Sequence, residues 1–396
     1  MQKTRVAIIG TTGLPARYGG FETLAHHLVA QLGGTLDITV YCSSKYFAKS
    51  GTRLTTFMGA RLHYLPFNAN GYQSIPYDVF SLLHAIRRND VILLLGTSGA
   101  LILPLLKLFT RKPILVNIDG QEWKRPKWNW FVQKLLHLSE KFAVRFADKV
   151  IADNKVIQHY VESNYKRLDS CLIEYGGDHV SALPFTAELL QQYPFLQSPY
   201  AFNVSRIEPE NNIHMILDAF SRAPEHRLVI VGLWNHSAYG SELRKRYGRY
   251  ENIFLLDPIY NQHTLNMIRA NARLYIHGHS AGGTNPGLVE AMCLGLPVLS
   301  YGISYNRETT NHRARYFNTS EELLEQLPRL TDTVCKTMGQ DLKRYGMARY
   351  NWERIAGLYN ALIRGENLTI ARLKLELSGR EEANIQMIMP VNKKVA

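Results

Sequence analysis

The chain has 396 residues, 46% of them hydrophobic and 20% charged, which is typical of a globular protein long enough for two domains. Its formal net charge of +13 favours a membrane surface or phosphorylated substrates over nucleic acid, because zinc-finger spacing and RNA-binding motifs are missing. No apolar run reaches the roughly 20 residues of a membrane span, and the four cysteines lack metal-binding spacing, as expected for reduced thiols in a cytosolic protein.

The first half of the chain alternates short apolar runs with segments of helical spacing. Strands are predicted at residues 6–10, 36–42, 91–96, 113–118, 150–152 and 171–175. Helices are predicted at residues 21–32, 79–86, 100–109, 128–147 and 156–165. Buried strands joined by helices predict a parallel sheet that is covered on both faces.

A glycine-rich loop at residues 10–23 joins the first predicted strand to the first helix. Its glycine spacing is not the dinucleotide fingerprint, and the second strand ends without an acidic residue. Both observations argue against a nicotinamide enzyme. The loop is either a ligand-binding turn or a plain turn whose glycines allow tight packing.

A second motif at residues 118–128 follows the fourth apolar strand and should therefore open into a cleft. It combines acidic, basic and tryptophan residues, among them Asp119, Glu122 and Lys124. Such a surface can bind a sugar ring or position a hydroxyl. The alternative is an exposed loop whose tryptophans pack on the next helix.

Basic residues are dense between residues 107 and 149. They are interleaved with Leu105, Leu106, Trp128, Trp130 and Phe131. This pattern predicts a face for anionic lipid, and a solvated helix surface is the alternative.

Residues 176–199 break the alternation and are predicted to link two domains. A second series follows. Its strands are predicted at residues 201–204, 228–231, 253–256, 273–276 and 297–300, and its helices at residues 213–221, 241–247, 264–272, 321–330, 336–350 and 352–363. Two doubly wound domains place a ligand-binding cleft between the carboxyl ends of their strands.

The loop at residues 277–292 follows one of these strands and precedes a short helix. Glycines at 282–283 let backbone approach a ligand, Thr284 or Asn285 can cap the helix, and Pro286 suits its first turn. Free N–H groups and the helix dipole at this point favour a phosphate.

Two charged side chains complete the predicted site. Arg206 follows the first strand of the second domain, and its guanidinium can pair bidentately with phosphate oxygens, although a surface arginine is the alternative. Glu290 lies one turn into the short helix, where a carboxylate can accept hydrogen bonds from hydroxyls. Together these features predict a phosphate-linked, hydroxyl-rich ligand.

The combination resembles family 4 glycosyltransferases of the GT-B fold, through the two-domain layout, the Arg206 loop and residues 290–298. Residues 13–23, 119–128 and 277–290 resemble the bacterial rhamnosyltransferase subgroup with a DUF1972-type N-terminal domain. The resemblance implies an α/β fold of two Rossmann-like, doubly wound parallel-sheet domains facing an inter-domain cleft. The implied divisions are an acceptor-binding domain (1–178), a linker (179–199), a nucleotide-sugar-binding domain (200–345), a helix that packs back on the first domain (346–365), and a tail without an assigned role (366–396).

The chain departs from the family pattern at three positions. Gly282 stands where the family has the first of two glutamates eight positions apart, and Glu290 is the second. Asn211 stands where a lysine usually follows the loop arginine by five residues. Asp119 lies nearest to the place of a cleft histidine.

The resemblance assigns three sets of residues. The catalytic residues would be Asp119, Arg206 and Glu290. The donor-binding residues would be Gly19, Gly20, Arg206, Asn211, Gly282, Gly283, Thr284, Asn285, Pro286 and Glu290, with Glu290 on the nucleotide ribose. The acceptor-binding residues would be Tyr18, Glu22, Glu122, Trp123, Lys124 and Arg125.

The implied activity is a retaining transfer of L-rhamnose from dTDP-rhamnose to a hydroxyl of a growing lipid-linked surface polysaccharide, such as an O-antigen or capsule. Neither a metal nor a further cofactor is expected, since no two aspartates are separated by one residue. The expected place is the cytoplasm, peripherally on the anionic inner membrane face. The alternatives are a transferase using a UDP-sugar, a GT-B nucleotide-sugar epimerase, and a binding protein with a degenerate site.

Overall fold

The computed structural model describes residues 3–16, 19–48, 53–118, 120–125 and 128–375, which fold as two α/β domains. The strands of the first domain are β1 (Arg5–Ile9), β2 (Asp37–Ser43), β3 (Thr56–Phe57), β4 (Ala60–Leu65), β5 (Val91–Leu95), β6 (Ile114–Ile118), β7 (Lys149–Ala152) and β8 (Cys171–Leu172). Its helices are α1 (Gly20–Leu32), α2 (Ser44–Ala48), α3 (Ser74–Arg88), α4 (Leu103–Phe109), α5 (Trp130–Phe146) and α6 (Lys155–Tyr165).

The first sheet has the order β3-β4-β2-β1-β5-β6-β7-β8 and is parallel except for the pairing of β3 with β4. The central strands β1, β5 and β6 are almost wholly buried, as a sheet covered on both faces requires. The strand order reverses between β1 and β5. Loops leaving the carboxyl ends of these two strands therefore diverge and leave a crevice.

The second domain contains β9 (Tyr200–Val204), β10 (Arg227–Val231), β11 (Ile253–Leu256), β12 (Leu274–His277), β13 (Val298–Tyr301) and β14 (Arg315–Phe317). The helices that follow the first sheet are α7 (Ala187–Gln192), α8 (Ile213–Ser221), α9 (Ala238–Tyr247), α10 (Gln262–Ala270), α11 (Pro286–Leu294), α12 (Ser304–Thr309), α13 (Ser320–Gln326), α14 (Asp332–Arg349) and α15 (Trp352–Ile363). The sheet is parallel, with the order β11-β10-β9-β12-β13-β14. Its order reverses between β9 and β12, so the loops after these strands flank a second crevice.

The predicted fold class of two doubly wound parallel sheets is confirmed. Strand β4 lies in the stretch that the sequence leaves irregular. It pairs with β2 near the edge of the sheet and is only partly buried. Because such a strand needs no continuous apolar run, its pattern is weaker than that of the central strands.

The segment between the sheets contains helix α7, which the sequence does not predict. Leu189 and Leu196 from this segment pack in the core of the second domain. Helix α15 instead packs in the core of the first domain through Trp352, Ile355 and Tyr359. The chain therefore crosses between the domains twice. No helix within the described residues is both long enough and apolar enough to pass through a membrane.

Candidate active site

A cavity of about 300 Å³ lies between the two domains, where both crevices meet. It is bordered by the ends of β1 and β5 on one side and by the loops after β9 and β12 on the other. Its lining brings together many of the predicted site residues, namely Gly19, Gly20, Glu22, Glu122, Arg125, Arg206, Asn211, Gly282, Gly283, Thr284, Asn285 and Pro286. The topology explains this, because parallel sheets gather the carboxyl ends of their strands at one edge.

Glu22 forms part of the first-domain wall. It lies in the first turn of α1 and is 6% exposed, and its Oε1 accepts a hydrogen bond of 2.6 Å from the backbone N–H of Thr12. Burial raises the pKa of Glu22, whereas that hydrogen bond and the charge of Arg206 act to lower it. Glu22 and Arg206 thus line the same cavity from different domains.

The second-domain wall is organised by the loop that carries Arg206. The Asn211 side chain is 2% exposed and donates a hydrogen bond of 2.7 Å to the Arg206 carbonyl. The backbone N–H of Ser280 donates to the Glu210 carbonyl at 2.8 Å, which joins this loop to the loop after β12. Asn211 therefore holds the Arg206 loop in shape. The bond to the Arg206 carbonyl uses one amide N–H of Asn211, which also lines the cavity, so the predicted donor binding by its side chain stays a prediction.

The loop at residues 281–286 leads into α11 with the predicted capping pattern. Asn285 Oδ1 accepts a hydrogen bond of 2.9 Å from the Gly287 N–H, and Pro286 occupies the first turn. Thr284 is 3% exposed, and its hydroxyl donates to the Asp153 carbonyl of the first domain at 2.5 Å. Thr284 thus fastens the two domains together while it lines the cavity, and its predicted part in donor binding stays a prediction.

The two domains approach each other through glycine backbone. A Cβ atom at Gly120 would lie 2.6 Å from Gly282 Cα, and one at Gly283 would lie 2.0 Å from Asp153 Oδ1. Arg125 also reaches across, with Nη1 3.7 Å from Glu210 Oε1. Because Gly120 and Gly283 have no side chains, the two domains can approach this closely around the cavity.

Comparison with solved structures shows which fold this is. Sucrose-phosphate synthase from Thermosynechococcus elongatus is similar over 92% of this chain and 99% of its own, with a TM-score of 0.75 and 16% identity. HepE from Anabaena, solved with UDP-glucose, matches over 91% and 99%, with a TM-score of 0.68 and 15% identity. A glycosyltransferase from Rickettsia africae matches over 92% and 99%, with a TM-score of 0.67 and 14% identity. These likenesses show the GT-B fold.

The two halves of the chain match different protein families. Residues 3–178 match a domain of unknown function, DUF1972, and residues 187–332 match the family described as glycosyl transferases group 1. The chain is a GT-B glycosyltransferase. Curated protein sequences give no significant match to it.

The glycosyltransferase uses only part of the loop after β6 to line its cavity. Glu122 and Arg125 are in the lining and pair with each other at 2.7 Å, between Arg125 Nε and Glu122 Oε2. Trp123 instead stacks on His137 of α5, with ring centroids 4.3 Å apart, and the Lys124 ammonium lies 5.2 Å from the Trp123 ring centroid. Neither residue is among the described residues that line the cavity, and their predicted acceptor binding stays a prediction.

Glu290 of the glycosyltransferase is held in an ion pair. It is not among the described residues that line the cavity. One carboxylate oxygen pairs with Arg269, and Oε1 lies 3.2 Å from His179 Nε2. The Trp352 indole donates to His179 Nδ1 at 3.0 Å, which leaves the ring proton of neutral His179 on Nε2, facing Glu290.

The electrostatics of Glu290 follow from these partners. Burial acts to raise its pKa, but Arg269 and His179 outweigh burial and lower the pKa to about 2. The carboxylate is therefore paired with Arg269 and His179, and the predicted contact of Glu290 with the nucleotide ribose stays a prediction. An alanine at Glu290 would leave the nearly buried Arg269 unpaired, so its effect would mix stability with donor binding.

Two predicted site residues, Tyr18 and Asp119, lie outside the described residues. Their predicted roles at the acceptor and the reacting centre stay predictions.

Sequence reasoning missed further cavity residues of the glycosyltransferase, and His279 and Asp78 are two of them. His279 stacks on His277 with ring centroids 4.4 Å apart, and its Nδ1 has no hydrogen-bond partner among the described residues. Burial, His277 and the charges of Arg206 and Arg125 lower the pKa of His279, so it is neutral. The signal that could have identified His279 is its position, two residues after the end of β12. Asp78 is the second, and its helix α3 carries no motif that distinguishes it.

Proposed function

We propose that this glycosyltransferase moves L-rhamnose from dTDP-rhamnose to a hydroxyl of a lipid-linked oligosaccharide, with retention of configuration and without a metal ion. The observation that carries the proposal is the meeting of Arg206 with the loop at residues 282–286 in a cavity closed by both domains. A UDP-sugar is the alternative donor.

The second-domain wall suits the diphosphate of such a donor. Arg206 supplies a permanent positive charge, and the amino end of α11 adds a favourable dipole. The structural neighbour HepE was solved with UDP-glucose, which supports a nucleotide-sugar as the ligand class. The rhamnose assignment rests on the motifs at residues 13–23 and 277–290.

In the proposed reaction the protein mainly positions the two substrates and stabilises the charge on the leaving group. The acceptor oxygen bonds to the anomeric carbon on the face from which the diphosphate oxygen leaves, and the leaving phosphate takes the acceptor proton. Arg206 stabilises the charge that develops on the leaving group. Asp119 is proposed to orient the acceptor hydroxyl or the donor sugar. The close contact between the domains excludes water and so limits hydrolysis.

Donor choice can be tested by thermal stabilisation. We expect dTDP-rhamnose to raise the melting temperature more than UDP-glucose, GDP-mannose or free dTDP, because only the matching donor fills both the nucleotide and the sugar parts of the site. Radiolabelled sugar should then move to lipid acceptors extracted from bacterial membranes. Stabilisation and transfer by a UDP-sugar alone would contradict the rhamnose assignment, and release of an altered sugar nucleotide without acceptor would contradict transfer.

The first domain carries an exposed apolar and basic surface on α4 and α5, which we name the α4–α5 face. Its exposed apolar members are Leu105, Leu108, Phe109, Trp130 and Phe131, with exposures of 52%, 77%, 81%, 67% and 62%. Leu106 does not belong to it, since it is buried in the core. Exposed basic residues on or next to these helices are Arg111, Lys134, Lys141 and Arg145, and the Lys134 ammonium lies 4.8 Å from the Trp130 ring centroid.

The α4–α5 face adjoins the cavity. Trp128 lines the cavity and packs edge-on against Tyr72, with ring centroids 5.6 Å apart, directly before Trp130 starts α5. Apolar rings beside basic side chains match an anionic bilayer surface. We propose that this face binds the inner membrane leaflet and presents the cavity to a lipid-linked acceptor.

Membrane binding can be tested with vesicles of phosphatidylcholine and phosphatidylglycerol. Replacing Phe109, Trp130 and Phe131 by serine is expected to reduce the partition coefficient about tenfold or more, because their apolar area leaves the bilayer. High salt should also weaken binding. The matched control replaces Leu168 and Tyr260, which are exposed apolar residues outside α4 and α5. Equal retention of both variants would contradict the assignment.

A further inference from the structure

Asp78 is a buried carboxyl group on the first-domain wall of the cavity. It lies in α3 and is 3% exposed, and it borders the cavity beside Leu95 and Gly96 at the end of β5. Arg206 and the donor loop at residues 282–286 form the wall contributed by the other domain. Asp78 is therefore placed on the side of the cavity that the proposed function leaves for the acceptor.

The surrounding structure fixes Asp78 in this position. The preceding residue, Tyr77, is fully buried and donates a hydrogen bond of 2.9 Å to the Thr11 carbonyl after β1. A Cβ atom at Gly99 would lie 2.5 Å from Asp78 Cβ, so the backbone after β5 packs directly against the side chain. These contacts hold this part of α3 against the edge of the sheet and keep Asp78 at the cavity.

The hydrogen-bonding capacity of Asp78 is not used within the described protein. Its Oδ1 is buried and has no hydrogen-bond partner among the described residues. A buried polar atom left without a partner is destabilising, so such atoms are normally paired with protein, water or ligand. A ligand bound in the cavity that Asp78 borders can supply this partner.

The chemistry of the site selects a neutral hydroxyl as that partner. Burial raises the pKa of Asp78 well above its ordinary value, which favours the protonated acid. A protonated carboxyl group both donates and accepts a hydrogen bond, as a sugar hydroxyl does. The neighbouring cavity residues Asn70, Ser74, Thr97 and Ser98 are neutral and polar as well.

We propose that Asp78 binds a hydroxyl group of the acceptor sugar and so helps to position the acceptor. This rests on the proposed function, transfer to a hydroxyl acceptor. It adds a residue of α3 to the acceptor subsite, which the sequence motifs place only in the loops around residues 18–22 and 122–125. Because Asp78 holds the acceptor and not the donor, its loss affects one substrate selectively.

The test compares Asp78→Leu with Asp78→Asn in steady-state transfer assays that vary donor and acceptor separately. Asp78→Leu is expected to raise the acceptor KM about tenfold or more, because the hydroxyl of the acceptor sugar loses a buried hydrogen bond. The donor KM should stay unchanged. Asp78→Asn should restore much of the acceptor affinity, since an amide also donates and accepts. Neither variant should melt at a lower temperature than wild type, because each removes a buried, unpaired carboxyl group.

Ser81→Ala is the matched control. Ser81 is fully buried in the same helix and bonds to the Tyr77 carbonyl at 2.7 Å, but it is not among the described residues lining the cavity. The acceptor KM of the Ser81→Ala variant should equal that of the wild type. An unchanged acceptor KM in Asp78→Leu, or a raised donor KM, overturns the Asp78 assignment alone. A wild-type protein that transfers to no hydroxyl acceptor overturns the proposed function, and this assignment with it.

Discussion

An Arg206→Ala variant is expected to transfer sugar about 10²–10³ times more slowly than the wild type, because it loses a donor aimed at the charge of the leaving diphosphate. Arg206 lines the cavity, where its positive charge acts to lower the pKa of both Glu22 and His279. The family pattern usually supplies a second positive group five residues later, where this chain has Asn211. The enzyme should therefore depend heavily on Arg206.

The measurement is kcat/KM with the preferred donor, together with thermal unfolding. Arg329→Ala is the matched control, since Arg329 belongs to the same domain and its side chain is 61% exposed beside Glu325. It should transfer sugar at the wild-type rate. Transfer by Arg206→Ala within a few-fold of wild type, in a folded protein, would remove Arg206 from the donor site.

A Gly120→Ala variant is expected to lower kcat/KM about 100-fold while both domains stay folded. The added methyl group would lie 2.6 Å from Gly282 Cα and 2.8 Å from the Gly282 carbonyl carbon. The two loops would have to separate by about 1 Å to restore ordinary contact. A displacement of that size at a reacting centre can cost about 10²-fold in rate. The loss should therefore come from the spacing between the domains.

Gly34→Ala provides the control, because a Cβ atom at Gly34 meets nothing within 4 Å. Both variants add one methyl group to the first domain, so equal melting temperatures with unequal transfer rates would isolate the contact between Gly120 and Gly282. If Gly120→Ala retains full transfer, the close arrangement of the domains is not the state in which the sugar moves.

Several site residues lie at the cavity as predicted, but their side chains have protein partners that the sequence does not predict. Asn211 and Thr284 line the cavity as expected, yet their side chains bond to the Arg206 and Asp153 carbonyls. Their positions follow from the strand ends, which a sequence pattern locates. The partner of Thr284 belongs to the other domain, and the bond of Asn211 depends on how its own loop folds, so the sequence pattern carries no information on either contact.

The ion pairs of Glu290 likewise cannot be predicted from a local sequence pattern, because the partners are distant along the chain. Arg269 lies in α10 and His179 lies in the segment between the two sheets, and both reach Glu290 in α11. Neither residue belongs to a motif. The sequence marks Glu290 as chemically important, but only the packing of α10 beside α11 shows that its charge is compensated.

The sequence by itself determined the two doubly wound sheets, the loops that meet between them and the family resemblance. Hydrophobic periodicity and glycine-rich strand ends depend on residues that are neighbours in the chain, so they are visible in the sequence. Only the tertiary structure decided that Trp123 and Lys124 pack on α5 and α6, that Glu290 is paired, and that Asp78 faces the cavity. Burial and partner choice depend on side chains brought together from distant parts of the chain, and these decide which polar groups remain available for a substrate.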